Sequence, residues 1–368
     1  MITEAFRSLS IIDTSGVDIG ISSRPITGGG STLSNGTLKS PAVISEKNVA
    51  RTNTFVPIVN EYATNAKYVL RALSINIANI NNDSYELKNC KMQVSGSKFI
   101  GIQQDEFVIK LYNINFAAFA KSVNAGYKYI TVKLSDDVVF RGTIKTANTG
   151  RENIVERALE LKCLMKVTDL LSDMVNPITV NSSMNIWAVL SQVSGQGVTK
   201  GNVPDEIKSM KFDEEKTFTG YRKTVIDEMV SMINLKLNRA NNKYLPWVDY
   251  TLEQDGIINL FGPSTITEIL NMQPHTGLTD TPSISEDSVQ FNAIYKKKLV
   301  PGRVVYIKNE YFTTLGGETA FVYAWDPNGF YVITEIRFDL SNYPHKFVLS
   351  CKARPLSKYN NFTASLKG

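Results

Sequence analysis

The chain has 368 residues, 43% of them hydrophobic and 20% charged, with 40 Lys+Arg against 35 Asp+Glu and a formal net charge of +5. That length holds two or three domains with real cores, and the apolar content excludes wholesale disorder. The positive surplus is spread thinly, unlike the basic stripe of a dedicated nucleic-acid binder, and Cys90, Cys163 and Cys351 form no CxxC pair, which excludes a zinc ribbon or redox motif.

Met1 to Ile12 carries Glu4 and Arg7 and lacks the basic start and long apolar core of a signal peptide. No segment approaches the ~18 uninterrupted apolar residues of a membrane span. The expectation is a chain made in a cytoplasm, with its cysteines reduced. Residues 13–50 are rich in Ser, Thr and Gly, with Pro25 and Pro41 and few aromatic anchors. Residues 1–65 therefore read as an extended N-terminal arm, either a loose tail or a segment that docks on a partner.

Residues 66–168 read as a first small antiparallel β-barrel. Leu73, Ile75 and Ile77 alternate, as do Phe107, Ile109 and Leu111, then Ile130, Val132 and Leu134. Ser135-Asp136-Asp137 supplies a turn, Val138 to Lys145 returns as a strand, and after a polar loop Leu159, Leu161 and Cys163 close the run. Residues 169–285 read as an α/β insert domain and connector. Ser182 or Ser183 is positioned to cap a helix through Ile186, Trp187, Val189, Leu190 and Val193, ended by Gly195. Thr219 to Ala240 places Val225, Ile226, Met229, Val230, Ile233 and Leu237 at helical spacing, its methionines reading as core. Trp247–Glu253 and Gly256–Phe261 flank Gln254-Asp255-Gly256 as a hairpin, and the Pro-, Ser- and Thr-rich residues 262–287 read as connector.

Residues 286–368 read as a second barrel with a C-terminal tail. Its strands are expected at Val289–Tyr295, Arg303–Lys308, Ala320–Trp325, Phe330–Leu340 and Lys346–Ala353, with a turn at Asp326-Pro327-Asn328-Gly329. Val138–Lys145 followed by Ala158–Cys163 looks like Gly329–Arg337 followed by Phe347–Lys352. This reads as a degenerate repeat, two related barrels flanking the insert in a mainly β chain.

Candidate chemistry is sparse. His275 and His345 have no neighbouring ligand-type residue at metal spacing, and Gly28 to Gly30 fails the tests of a P-loop or dinucleotide loop. The acidic runs Asp136-Asp137, Asp213-Glu214-Glu215, Asp227-Glu228 and Glu286-Asp287 read as solvated turn charge. Lys296-Lys297-Lys298 with Arg303 is the densest basic cluster and the candidate partner-contact site, set against a solvated strand end or a guarded sheet edge. No catalytic, cofactor or metal residue is assigned, and the chain is expected not to be an enzyme.

Leu299-Val300-Pro301-Gly302-Arg303-Val304-Val305-Tyr306-Ile307 and then Gly329-Phe330-Tyr331-Val332-Ile333-Thr334-Glu335-Ile336 resemble the closing barrel of phage baseplate and tail hub proteins, with their PG-x-x-V and G-x-Y-x-V strands. Asp137-Val138-Val139-Phe140-Arg141-Gly142-Thr143-Ile144-Lys145 resembles their opening barrel, where a strand ends in F-x-G-x-I. The resemblance covers about residues 66–355 by layout and two short motifs by sequence. It implies a contractile-tail hub of the kind shared by myophages, tailocins and type VI secretion spikes. Three copies would form a ring whose paired barrels match a six-fold tube above and a three-fold spike below. The implied partners are further copies of the chain, the tail tube protein, the central spike protein and wedge or other baseplate proteins, with genomic DNA passing the lumen without specific binding. The implied location is the virion, and no cofactor is implied. Two other functions stay open: a carbohydrate- or receptor-binding tail protein using Trp247 and Trp325, and a glycan hydrolase with a hidden carboxylate pair.

Overall fold

Segments that alternate apolar and polar residues form strands whose apolar side turns to a core. The computed structural model describes residues 58–61, 71–81, 83–101, 106–117, 119–120, 126–165, 173–194, 199–241, 248–252, 257–262, 265–284, 288–308 and 329–356. The expected arm before residue 58, the strand at 320–325, the turn residues 326–328, Trp247 and Gly195 lie outside them.

The first block holds β1 (Ile58–Val59), β2 (Leu73–Ala78), β3 (Ser84–Leu87), β4 (Met92–Phe99), β5 (Glu106–Tyr112), β6 (Tyr129–Leu134), β7 (Asp137–Arg151) and β8 (Arg157–Met165). The alternating residues of β2, β5 and β6 are buried as their pattern predicts. β6 and β7 form the expected hairpin, with Ser135 at φ 56° in its turn. β7 continues past Lys145 to Arg151, through what the sequence presents as a polar loop. That extension is exposed throughout, so no alternation marks it, and its ladder with β8 holds it.

The middle section builds its own core. β9 (Met174–Val180) pairs with β11 (Lys216–Tyr221). Two helices, α1 (Ile186–Val193) and α3 (Arg222–Asn241), pack beside that pair, with β10 (Thr199–Lys200) and α2 (Asp205–Lys208) between them in sequence. The expected hairpin is present as β12 (Asp249–Leu252) and β13 (Ile257–Phe261), and β10 adds parallel to β13. The cap of α1 is Asn185, not Ser182 or Ser183: its Oδ1 accepts from the Ala188 N–H at 3.0 Å. α3 starts at Arg222 because Thr219 to Tyr221 belong to β11. Met229 is fully buried against Phe218, Val225 and Ile233 in this core, as expected of a packing methionine.

Residues 262–287 are more than a connector. They hold β14 (Ile269–Met272), a 3-10 turn at Pro274–Thr276 and β15 (Ser283–Ile284). Every residue of β14 is buried, and a strand covered on both faces offers no alternation to read. The last block follows with β16 (Val289–Ile294), β17 (Val304–Ile307), β18 (Gly329–Asn342) and β19 (His345–Pro355). β14 lies between β1 and β17, parallel to both.

The two strand blocks meet in one hydrogen-bonded sheet of fourteen strands. The seam is β4 against β18, antiparallel from Glu335↔Phe99 to Ser341↔Gln93. One cluster of buried side chains, from Leu73 and Phe107 to Ile336 and Leu349, draws on both blocks. Across the seam runs the row Phe338, Gly96, Phe107, Cys163 on four successive strands. The Phe107 ring covers Gly96, so a β-carbon there would stand 2.5 Å from it. The same ring stacks on Phe140 at 4.2 Å and meets Phe338 at 5.4 Å.

Phe107→Ala is expected to cost about 3–5 kcal/mol in urea unfolding, the range for a deleted core aromatic. Gly96→Val, which forces the ring off the seam, is expected to lower Tm and expose β4 and β18 amides to hydrogen exchange together. Protection lost from β5 alone would show that the glycine does not hold the seam.

Candidate functional site

The groups that could do chemistry are mostly engaged in structure. His275 is exposed on its 3-10 turn, and His345 begins β19 with its ring 6.1 Å from Phe347. Among the described residues no three His, Cys, Asp or Glu side chains gather to hold a metal ion. Burial pushes the Cys163 thiol up to about 12 and raises Cys351 and Cys90 as well, which suppresses the reactive thiolate.

The acidic runs separate in the same way. Asp137 faces Lys297 at 3.5 Å, Glu228 takes Lys216 at 2.6 Å, and Asp213 takes Lys236. Glu286 and Asp287 lie outside the described residues. Asp227 accepts the Tyr250 hydroxyl at 2.9 Å, and the adjacent Asp249 accepts the Tyr250 N–H at 2.9 Å. Burial raises the pKa of both carboxyls; the charge of Asp227 raises Asp249 further, while Arg354 opposes the rise. Tyr250 also receives the Gly101 N–H on its carbonyl at 2.8 Å. This carboxylate pair thus marks the joint where β12 of the insert meets the turn after β4.

The basic cluster divides three ways. Lys296 is 1% exposed, and its Nζ donates to the Glu61 carbonyl at 2.7 Å, beside β1. Asn271 of β14 donates to Asn60 at 2.6 Å, so two side chains fasten the 58–61 segment. Lys298 and Arg303 share Glu268, at 3.0 and 2.7 Å. Lys297 is the most exposed member, near Asp137. Pro301-Gly302 opens β17 with Gly302 at φ 83°, its N–H on Ile333 O at 2.8 Å and its Cα so near Phe261 that a β-carbon would stand 2.9 Å from the ring. That glycine brings β13 of the insert against the second block.

A surface that sequence reasoning missed lies at the β7–β8 turn. Asn153 Oδ1 accepts from the Val155 and Glu156 N–H groups at 2.9 and 2.7 Å, shaping the turn. Lys91 Nζ grips Glu156 at 2.8 Å while lying over the Tyr112 ring at 4.4 Å, and Glu152 takes Lys110 at 2.5 Å and the Tyr112 hydroxyl at 2.7 Å. These contacts hold the tip against β5 and leave Ile154 97% and Val155 83% exposed. The one sequence signal was an Ile-Val pair inside an otherwise polar loop.

With this geometry in place the fold can be compared. The tail protein from Neisseria meningitidis MC58 superposes with a TM-score of 0.50 at 10% identity, over 79% of this chain and 98% of that one. The 43 kDa tail protein of prophage MuSo2 from Shewanella oneidensis gives 0.51 at 7% identity, over 78% of this chain and 99% of that one. The chain has the fold of phage tail proteins. No protein-family model matches the sequence, and no curated protein does. Pro301-Gly302 stands just before β17 as the resemblance implies, whereas Phe140 to Ile144 does not end a strand but lies inside β7, which continues to Arg151.

Lys296→Ala is expected to cost about 2–3 kcal/mol, the scale of a charge-assisted hydrogen bond, and to release the Ile58 and Val59 amides in hydrogen exchange. Lys297→Ala should stay within about 0.5 kcal/mol of wild type in the same urea titration. The pKa of Asp249 is raised above its ordinary 3.8, so the folded protein holds that proton more readily than the unfolded chain and loses stability as pH rises through the window between them. Asp249→Asn keeps the acceptor for the Tyr250 N–H; it is expected to raise Tm at pH 7 and to lose that advantage below pH 3.8. A pH-independent difference would place its effect elsewhere.

Proposed function

We propose that the chain is a structural component of a phage tail baseplate: a hub of three copies whose paired strand blocks present six similar units to a tail tube and three to a central spike. The observation that carries this reading is the matched register of its two long hairpins. In β7–β8, Ile144 faces Cys163; in β18–β19, Ile336 faces Cys351. Both cysteines are buried, and each long strand carries one register shift within three residues of the isoleucine, at Ile144/Thr146 and Ile333/Glu335. The bulge follows Ile144 in β7 and precedes Ile336 in β18, so what the two hairpins share is an isoleucine facing a buried cysteine with one bulge close by. Two like units per chain, in three copies, are what a six-to-three adapter needs.

In this reading wedge and other baseplate proteins bind the outer surface, DNA passes the lumen without base contacts, and the working location is the virion. The work is done by surfaces, so neither catalysis nor a cofactor is required. No helix among the described residues is long and apolar enough to cross a membrane. The sugar-binding alternative depended on Trp247 and Trp325, both outside the described residues, and no observation favours it.

Native mass spectrometry of the purified full chain is expected to show three copies of the 41.0 kDa protomer. A strict monomer at all concentrations that also fails to join a tube protein would count against the hub.

A further inference from the structure

The exposed tip of the β7–β8 hairpin combines two features that a free surface does not need. Ile154 and Val155 stand outward on a turn held by the Glu152 and Glu156 ion pairs, so burying them requires another surface. Directly below, Arg151 and Arg157 face each other across the ladder. Like charges opposite one another weaken a strand pair, and among the described residues neither guanidinium has an ion-pair partner. The glutamates that could neutralise them point to Lys91 and Lys110 instead. Two apolar side chains and two uncompensated arginines on one rigid tip call for a recess lined by carboxylates.

The chain itself carries such a surface in the insert. In the Asp213-Glu214-Glu215 run before β11, Asp213 is taken by Lys236, whereas Glu214 and Glu215 are exposed and have no ion pair among the described residues. Met184, whose carbonyl accepts the Phe212 N–H at 3.2 Å, is exposed beside this loop, and α3, which carries the exposed Leu235, reaches the loop through Lys236. Two glutamates with two apolar neighbours complement two arginines with two apolar neighbours.

We infer that the β7–β8 tip of one copy docks on the Met184, Glu214, Glu215 and Leu235 surface of the next. The contact joins two different patches, so it is heterologous, the kind of contact whose repetition gives a ring when its rotation closes and a filament when it does not. It rests on the ring reading above and specifies which surfaces make the ring. The apolar pair supplies the buried area and the charges set register and orientation, since exposed ion pairs alone contribute little.

The test uses charge exchange in the full chain, read by native mass spectrometry and sedimentation. Arg151→Glu/Arg157→Glu and Glu214→Arg/Glu215→Arg are each expected to weaken association at least tenfold, and the fourfold exchange in one chain is expected to restore it. Ile154→Ser/Val155→Ser should weaken assembly with unchanged Tm, which separates a lost contact from a lost fold. A wild-type ring that every one of these variants leaves intact overturns this contact alone. So does a ring broken by both charge variants that the fourfold exchange fails to repair. A wild-type chain that is monomeric throughout overturns the ring reading and this contact together.

Discussion

The ring of Phe107 lying over Gly96 is the constraint on which the rest of the architecture depends. A glycine in mid-strand is ordinarily a weakness, because it orders a flexible backbone and offers nothing to pack. Here the missing β-carbon is the space that the neighbouring aromatic ring fills. Because Phe107 also meets Phe140 and Phe338, the same filling joins side chains of β5, β7 and β18. The seam between the two strand blocks thereby shares one core with both, and the sheet continues through it. Any larger residue at Gly96 would push apart the rows that carry this contact.

The insert is attached differently. It has a core of its own, and it meets the sheet through a few polar and aromatic contacts: Tyr250 with Gly101, Asp249 near Arg354, and Phe261 under Gly302. Two carboxyls partly withdrawn from water at such a joint are a standing electrostatic cost, partly offset by the Tyr250 hydroxyl and the Arg354 charge. The seam is held by apolar area and the joint by hydrogen bonds, so the two respond to different conditions.

Much of this was legible in the sequence, and the failures have physical causes. β2, β5 and β6 announced themselves because one face of each is buried and the other is not. β14 was missed because both of its faces are buried, and the outer half of β7 because neither is. Period-two patterning reports a difference between faces, and these two segments have none. Asn185 took the cap expected of Ser182 or Ser183 because all three residues satisfy the same chemistry and only the chain path decides among them. The Lys296 to Lys298 run read as one patch, yet neighbouring residues at a strand end point in different directions, one into the core and the next to water. The hairpin tip was invisible as a site because its meaning lies in what faces what across the ladder, as with Arg151 and Arg157.

The seam has a consequence for the order in which the molecule is made. The residues that pair across it, such as Phe99 and Glu335, lie more than two hundred positions apart in the chain. When β4 leaves the ribosome its partner has not been synthesised, and the whole insert must emerge before β18 appears. Through that interval β4 presents an unpaired edge, with the Phe338 ring that will meet Phe107 still missing. Loop closure over such a span makes the pairing slow as well as late. Early aggregation is therefore governed by how long one strand waits for another, and the nascent chain needs its first edge guarded until its last strands arrive.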